Sequence, residues 1–304
     1  MVNLAVKIGK LKLKNPVMVA SGTWGLEYKD FVDADRLGAI VLKTITLNKR
    51  VGNPPPRVAE TASGMLNSIG LENKGLEDFV ENKLPLFNGA RTAVIVSIAG
   101  DDEAEFKELA KRLSKIKRVD ALEINLSCPN IRYGMNEGLI AHDEKATYKV
   151  VKAIRGVTGL TVIAKLSPNV TDIGKIAASA EAAGADAVAL TNTFIGMAVD
   201  IDTMRPRLGN VTGGLSGPAI KPLSLRAVWE AHKAVDIPIV GIGGIMDHKD
   251  AVEFMLCGAT AVQVGTANFV DPGLPAEIVD GMAGYMKKNR IRDINSLVGA
   301  IKLG

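Results

Sequence analysis

Residues 161–190, TVIAKLSPNVTDIGKIAASAEAAGADAVAL, carry two short apolar runs on either side of a helical pattern. The runs Thr161–Ala164 and Ala187–Leu190 have the length and apolar character of buried strands. Between them, residues 171–184 place Ile and Ala side chains on one face at helical spacing, and Thr171 is the expected N-cap. A strand, a helix and a second strand in this order predict parallel strands covered by helices.

The same unit recurs along the chain. The pair Gly-Ala stands between a helical segment and an apolar run at Gly38, Gly184 and Gly258, where glycine would end the helix. We predict eight strands: Val17–Ala20, Ala39–Leu42, Ala93–Ser97, Ala121–Ile124, Thr161–Ala164, Ala187–Leu190, Pro238–Gly241 and Ala261–Val264. Eight such strands fit a closed (β/α)8 TIM barrel better than an open doubly wound sheet.

The length of 304 residues would also suit two ordinary domains, but no polar linker divides the chain. We therefore predict a single α/β barrel domain spanning residues 1–304. The alternation of apolar and polar residues over the first ten positions predicts an N-terminal β-hairpin. Two long polar stretches, Thr44–Lys74 and Thr191–Pro222, are expected to be inserted loops at the C-terminal face of the barrel.

The composition excludes several classes of protein. With 47% apolar residues, 23% charged residues and a net charge of +4, the chain is neither a disordered segment nor a disulfide scaffold. Its richest apolar stretch, Ile237–Met246, is too short to span a membrane, so we expect a cytoplasmic protein without a membrane partner. The basic segments Lys107–Arg118 and Met286–Arg292 have helical spacing and no interleaved aromatic residues, so no nucleic-acid partner is expected.

The cysteine count bears on metal chemistry. The only two cysteines are Cys128 and Cys257, which cannot form a four-cysteine zinc or iron–sulfur site. We therefore predict no metal site in this chain, and any such cluster used by the protein must lie on another chain.

Polar residues follow almost every predicted strand, where a barrel carries its chemistry. The strand ends are Ser21-Gly22, Lys43-Thr44, Asn125–Asn130, Lys165, Thr191-Asn192-Thr193, Gly241–Gly244 and Gly265-Thr266. The glycine-rich ends after the last two strands, together with Gly213–Gly217, favour a phosphate site, because backbone N–H groups can approach a phosphate closely there. An ordinary turn is the alternative explanation for such glycines.

Lys43 and Lys165 each end an apolar run, which suggests cations held against a bound anion or an electron-rich ring. The alternative is that these lysines merely extend to the barrel rim. Cys128 lies in a polar turn and is the better-placed acid/base candidate, although an isolated cysteine is more often a buried apolar residue. Cys257 is assigned to packing. The three histidines, His142, His232 and His248, stand away from strand ends.

In combination, these segments resemble the dihydroorotate dehydrogenases of class 1 over essentially the whole chain. The motifs are Ala20–Gly25, Val41–Thr44, Asn67–Asn73, Asn125–Asn130, Ala164–Pro168, Thr191–Thr193, Gly213–Gly217, Gly241–Gly244 and Gly265-Thr266. The loop Cys128–Gly134 looks more like the NAD-linked B type than the fumarate-linked A type. Ser97 departs from the family pattern, because many relatives are expected to have asparagine at this position, where a flavin or loop contact is made.

The resemblance implies an oxidoreductase of pyrimidine biosynthesis, a flavoprotein that oxidises dihydroorotate to orotate. FMN would lie over the mouth of the barrel and accept the hydride, with Cys128 as the base, Lys165 beside the flavin and Lys43 contacting both flavin and substrate. The residues expected to bind FMN are Ser21, Lys43, Thr44, Asn125, Lys165, Thr191, Gly217, Gly243, Gly244, Gly265 and Thr266. Those expected to bind the substrate are Lys43, Asn67, Ser68, Ile69, Gly70, Leu71, Asn125, Asn192 and Thr193.

The B type also implies a partner. A second subunit would carry FAD and a two-iron, two-sulfur cluster and pass electrons to NAD, in a heterotetramer built on a homodimer. Three alternatives remain open: a fumarate-dependent A-type enzyme, a dihydropyrimidine dehydrogenase-like FMN enzyme acting on uracil or thymine, and a non-redox phosphate-binding barrel such as an aldolase or isomerase.

Overall fold

The computed structural model describes residues 2–25, 33–126 and 140–304. In these ranges the strands, in chain order, are β1 (Val6–Ile8), β2 (Leu11–Leu13), β3 (Val17–Val19), β4 (Ala39–Ile45), β5 (Val58–Thr61), β6 (Gly64–Asn67), β7 (Ala93–Ile98), β8 (Ala121–Asn125), β9 (Thr161–Lys165), β10 (Ala187–Leu190), β11 (Phe194–Met197), β12 (Val199–Asp200), β13 (Arg205–Pro206), β14 (Thr212–Ser216), β15 (Ile239–Ile242) and β16 (Ala261–Val264).

The α-helices of the same ranges are α1 (Leu76–Asp78), α2 (Glu103–Leu113), α3 (Glu144–Arg155), α4 (Ile173–Ala182), α5 (Lys221–His232), α6 (His248–Leu256), α7 (Ala267–Val270) and α8 (Leu274–Lys288). Short 3-10 segments cover Ala34–Arg36, Leu84–Phe87, Ile140–His142, Pro218–Ile220 and Ile294–Leu297, and one π-helical turn covers Phe79–Lys83. None of the helices in the described ranges is long and apolar enough to cross a membrane.

Eight parallel strands close into a barrel in the order β10-β15-β16-β3-β4-β7-β8-β9. Every residue of β8, β9, β10, β15 and β16 is buried, because one face of each strand fills the barrel and helices cover the other. Around it, α2 packs on α3, α3 on α4 and α4 on α5, while α6 packs on α5 and α8. The predicted TIM barrel is confirmed, and each predicted apolar run overlaps a barrel strand.

An antiparallel hairpin of β1 and β2 covers the N-terminal end of the barrel. Its side chains Val6, Ile8 and Leu13 are buried in the main core. The turn of the hairpin is tied to the start of β9, since the Lys10 backbone N–H donates to Thr161 Oγ1 at 3.1 Å. The predicted N-terminal hairpin is therefore confirmed, and it closes the end of the barrel opposite the site.

The two long polar stretches, predicted to be inserted loops at the C-terminal face, do border the cavity there, but they also contain strands. Residues 44–74 contain β5 and β6, and residues 191–222 contain β11 to β14, so the two stretches pair across the chain. Together they form a four-stranded antiparallel sheet in the order β11-β14-β6-β5, which we call the roof sheet. Leu66 and Leu208 are buried with Ala59 in a small second core at this sheet. The strands form because each stretch supplies the hydrogen-bonding edge that the other lacks.

The N-cap of α4 also differs from the expectation. Asp172, not Thr171, has the extended backbone of a cap, and its side chain accepts a hydrogen bond from the Lys175 backbone N–H at 3.2 Å. Both residue types can cap a helix, and the carboxylate is the stronger choice.

Candidate active site

A cavity of about 640 Å³ opens at the C-terminal ends of the barrel strands. The loops after β3, β15 and β16 form one side of it, and the roof sheet contributes Val58, Met65 and Asn67. Of the residues predicted to bind FMN or substrate, those lining the cavity are Ser21, Lys43, Thr44, Asn67, Ile69, Gly70, Leu71, Asn125, Lys165, Thr191, Asn192, Thr193, Gly217, Gly243, Gly244, Gly265 and Thr266. Strand ends far apart in sequence thus contribute to one site.

Ser68 is the exception among these predicted residues. It is fully buried and does not line the cavity. Its backbone N–H donates to the Arg57 carbonyl oxygen at 2.7 Å, which fixes the chain between Asn67 and Ile69. Ser68 therefore supports the wall of the site from behind.

Two lysines reach the cavity from different strands. Lys43 lies in β4 with an exposed side chain, whereas Lys165 ends β9 and is only 6% exposed. The Nζ atom of Lys165 lies 3.4 Å from Oε1 of Glu123, which is fully buried in β8. Lys165 is thus held inside the barrel mouth and does not extend past the rim into solvent.

A chain of hydrogen bonds links the polar side chains at the adjoining strand ends. The hydroxyls of Thr44 and Ser97 lie 2.9 Å apart, and the Asn125 amide donates to Thr44 Oγ1 at 3.4 Å. The Asn192 amide donates to Asn125 Oδ1 at 3.3 Å, and its own Oδ1 accepts from the Thr193 backbone N–H at 2.8 Å. These contacts set which end of each amide faces the cavity, which is what recognition of a ring with imide and amide edges requires. Ser97 does not line the cavity and acts there through Thr44.

Glycines bring the backbone close to the cavity after β15. Gly243 and Gly244 have φ of +126° and +74°, a region that favours glycine. A Cβ on Gly244 would lie 2.7 Å from Lys221 Cβ and 3.0 Å from the Gly217 carbonyl oxygen, so no side chain fits there. Nearby, Thr266 Oγ1 donates to Ser216 Oγ at 2.7 Å. A wall of glycine backbone and hydroxyl groups is suited to an anion such as a phosphate.

The cysteines and histidines contribute little to the described part of the cavity. Cys128, the predicted base, lies outside the described residues. Cys257 caps the end of α6, and burial raises the pKa of its thiol, as expected of a packing cysteine.

None of the three histidines, all in described ranges, lines the cavity. Burial lowers the pKa of His142. The parts of the chain that the structure describes also contain no group of three acidic, histidine or cysteine side chains able to hold a metal ion.

Sequence reasoning missed Glu123 and Gln263. Both are fully buried, and Gln263 Nε2 donates to Glu123 Oε2 at 2.7 Å inside the barrel. A signal was present, because each is a polar residue within an apolar run predicted to be a buried strand. Such a residue needs a partner in the core. Sequence reasoning also missed Met246 and Phe269, which line the cavity from the segments after β15 and β16. It named the Gly213–Gly217 motif but did not single out Ser216, which lines the cavity from β14.

Comparison with known proteins agrees with this geometry. The family model described as dihydroorotate dehydrogenase matches residues 3–286. The chain belongs to the dihydroorotate dehydrogenase family. Within that family, a protein of Desulforamulus reducens named "Dihydroorotate dehydrogenase B (NAD(+)), catalytic subunit" is 53% identical over 304 residues, covering 99% of each chain.

Two further comparisons extend this result. A protein of Bacteroides thetaiotaomicron with the same name is 48% identical over 306 residues, covering 100% of both chains. Among solved structures, DHODH from Eimeria tenella in complex with ferulenol superposes with a TM-score of 0.80 at 24% identity, covering 98% of this chain and 88% of the other. At that identity the structural likeness supports the fold, while the full-length relatives support membership of the family.

Proposed function

We propose that this chain oxidises (S)-dihydroorotate to orotate in pyrimidine biosynthesis, as the FMN-binding catalytic subunit of a B-type, NAD-linked enzyme. The observation that carries the proposal is the meeting of two lysines, an oriented amide chain and a glycine-lined wall at one cavity. These groups complement a carboxylate, a pyrimidine ring and a phosphate respectively. The full-length relatives carry the name of the same activity.

The residues present fit FMN. The cavity of about 640 Å³ is within the usual range for a cofactor site. Gly243 and Gly244 line the cavity without side chains, which suits close approach of their backbone to a phosphate. The residues that would hold FMN are Ser21, Lys43, Thr44, Asn125, Lys165, Thr191, Gly217, Gly243, Gly244, Gly265 and Thr266. When bound, FMN supplies a hydride acceptor for the substrate carbon.

The lysines supply positive charge where the reaction needs it. The Lys165 ammonium would face the flavin edge that gains negative charge on reduction, and Lys43 would contact the orotate carboxylate as well. Asn67, Asn125, Asn192 and Thr193 would bind the amide edges of the pyrimidine and its carboxylate. The backbone at Ile69, Gly70 and Leu71 completes that side, with Ser68 behind it.

Removal of a proton from the substrate requires a base, and we assign this role to Cys128. The assignment rests on the motif Ser127-Cys-Pro-Asn130, which follows Asn125 closely in the sequence and resembles the cysteine motif of the class 1 enzymes. A thiolate can accept the proton while the hydride leaves from the neighbouring carbon.

The proposed partner is a separate subunit carrying FAD and a two-iron, two-sulfur cluster. The relatives' name "catalytic subunit" implies that a second subunit exists in those proteins. We propose a homodimer of this chain that assembles with two copies of the partner into a heterotetramer.

Anaerobic titration tests the function directly. The purified chain, loaded with FMN if necessary, is mixed with dihydroorotate while the visible absorbance of the oxidised flavin is followed. We expect stoichiometric bleaching and formation of orotate. Bleaching by dihydrouracil that equals bleaching by dihydroorotate would instead favour a dihydropyrimidine dehydrogenase-like enzyme. Failure to bind FMN at all would favour a non-redox barrel.

A further inference from the structure

The interior of the barrel beneath the cavity holds a carboxylate that the proposed reaction does not use. Glu123 is fully buried in β8, two residues before Asn125, which lines the cavity. Side chains two positions apart in a strand share a face, so Glu123 lies on the same inward face as Asn125, one layer deeper.

Both oxygens of Glu123 have a partner. Oε2 accepts from Gln263 Nε2 at 2.7 Å, and Oε1 lies 3.4 Å from Lys165 Nζ. Gln263 belongs to β16, which is four strands from β8 around the barrel in either direction, so its amide reaches across the interior. A buried carboxylate costs several kcal/mol unless it is compensated, and these two contacts provide the compensation.

Lys165 is shared between this buried carboxylate and the cavity. The residue is 6% exposed and lines the cavity. Within residues 2–25, 33–126 and 140–304, its one ion-pair partner is Glu123. The remaining ammonium hydrogens are therefore available to a group bound in the cavity. Movement or loss of the carboxylate would change both the position of Nζ and the net charge that the cavity experiences.

We propose that Glu123 is a positioning residue that holds the Lys165 ammonium at the floor of the cavity and offsets part of its charge, thereby setting the reduction potential of the bound flavin. The inference rests on the proposed FMN function. Gln263 fixes the carboxylate from the far side with a neutral amide, so it orients Glu123 without cancelling its charge.

The sign of the effect follows from electrostatics. Reduction adds negative charge to the flavin, and a nearby buried carboxylate opposes that change in a medium of low dielectric constant. Replacing Glu123 with the neutral, similarly sized Gln removes the opposing charge while leaving an amide that can still contact Gln263. The flavin should then be easier to reduce.

The test is the midpoint potential of bound FMN in Glu123→Gln, measured by equilibration with a reference dye without substrate. We expect the reduced-to-oxidised ratio at a fixed potential to rise about tenfold, which corresponds to about 30 mV for a two-electron couple. The matched control is Asp186→Asn, another acid-to-amide change in a partly buried ion pair, with Arg155 NH1 at 2.6 Å. Asp186 lies beside the N-terminal hairpin, away from the cavity, so its variant should keep the wild-type potential.

A Glu123→Gln protein that binds FMN with an unchanged potential overturns the proposal, as does an equal shift in Asp186→Asn. If Glu123→Gln does not fold, the double variant Lys165→Met, Glu123→Gln decides. If the double variant folds, the result supports the proposed ion pair of Glu123 and Lys165, because both of its charged members are then absent. If the double variant does not fold, the proposal is overturned, because Glu123 would then support the barrel independently of Lys165.

Different results would contradict the role of Glu123 and the proposed oxidation of dihydroorotate. Wild-type protein that binds no flavin, or whose flavin dihydroorotate cannot reduce, contradicts the proposed function. Wild-type protein that passes both tests while Glu123→Gln keeps its potential contradicts only the role of Glu123.

Discussion

Ser97 acts on the cavity without touching it. Its hydroxyl lies 2.9 Å from that of Thr44, which in turn accepts a hydrogen bond from Asn125. All three side chains are buried. The position of the Asn125 amide therefore depends on a residue that does not itself line the cavity.

Replacing Ser97 with Ala should weaken both stability and ligand binding. A buried hydroxyl that loses a partner costs about 1 kcal/mol, which lowers the melting temperature by about 2 °C in a chain of this size. We expect the affinity for orotate, measured by flavin spectral titration, to fall about threefold as Thr44 and Asn125 lose their fixed orientation.

Ser114→Ala is the control, because Ser114 bonds the Ala110 carbonyl oxygen at 2.6 Å at the end of α2 and lies outside the cavity. The Ser114→Ala change should lower the melting temperature but leave the affinity for orotate unchanged. An unchanged orotate affinity in Ser97→Ala would limit Ser97 to a role in folding.

The proposed base, Cys128, can be tested by substitution. Cys128→Ser should lower turnover by about 10²-fold or more at neutral pH while FMN absorbance stays normal, because a serine hydroxyl is a far weaker base than a thiolate. In the wild type, kcat should rise with pH towards the usual thiol pKa of about 8.5, since the thiolate fraction rises.

Cys257→Ser provides the matched control, because that half-buried thiol caps α6 and does not line the cavity. Its turnover and pH profile should equal those of the wild type. If Cys128→Ser also keeps wild-type turnover at neutral pH, the assignment of the base is wrong.

Among the elements, the turn after β15 is the most constrained. Gly244 has φ of +74°, and a Cβ there would lie 2.7 Å from Lys221 Cβ and 2.8 Å from the Lys221 backbone nitrogen. Lys221 cannot easily move, because its Nζ pairs with Asp250 at 2.6 Å and Glu253 at 3.0 Å in α6.

Gly244→Ala should therefore displace the turn and reduce FMN affinity about tenfold or more, measured by fluorescence of released flavin. Gly284→Ala is the control, since Gly284 is exposed in α8 and a Cβ added there would meet no atom within 4 Å. That change should leave FMN affinity unaltered and raise stability slightly, because Ala favours the helix. Equal FMN affinity in both variants would remove the turn from the cofactor site.

The elements also show what sequence could and could not predict. The barrel strands and their polar ends follow from local patterns, so the apolar runs and residues such as Lys165 and Gly244 were predictable. The roof sheet was not, because β6 pairs with β14, whose partner residues Asn67 and Gly214 are far apart in the chain. The contact of Glu123 with Gln263 depends likewise on closure of the barrel, which brings opposite strands together.

The barrel as a whole has one closed end and one end that carries the cavity. The β1–β2 hairpin covers the N-terminal end, while the roof sheet borders the cavity at the other. A ligand is therefore expected to reach the cavity from the C-terminal end of the barrel. The extent of a single domain over residues 1–304 stays a prediction.

The identity of the electron acceptor can be tested on the isolated chain. A cluster of two irons and two sulfurs needs four protein ligands, usually thiolates, and this sequence has only two cysteines. With dihydroorotate, the isolated chain should reduce an artificial dye but neither NAD nor fumarate, measured by orotate formation under anaerobic conditions. Adding a candidate FAD/iron–sulfur subunit should start NAD-dependent turnover, because the cluster then links the two flavins. The dye reaction confirms that the isolated chain is active. Fumarate turnover by that chain would make it an A-type enzyme, and NAD turnover without the subunit would show that no separate electron carrier is needed.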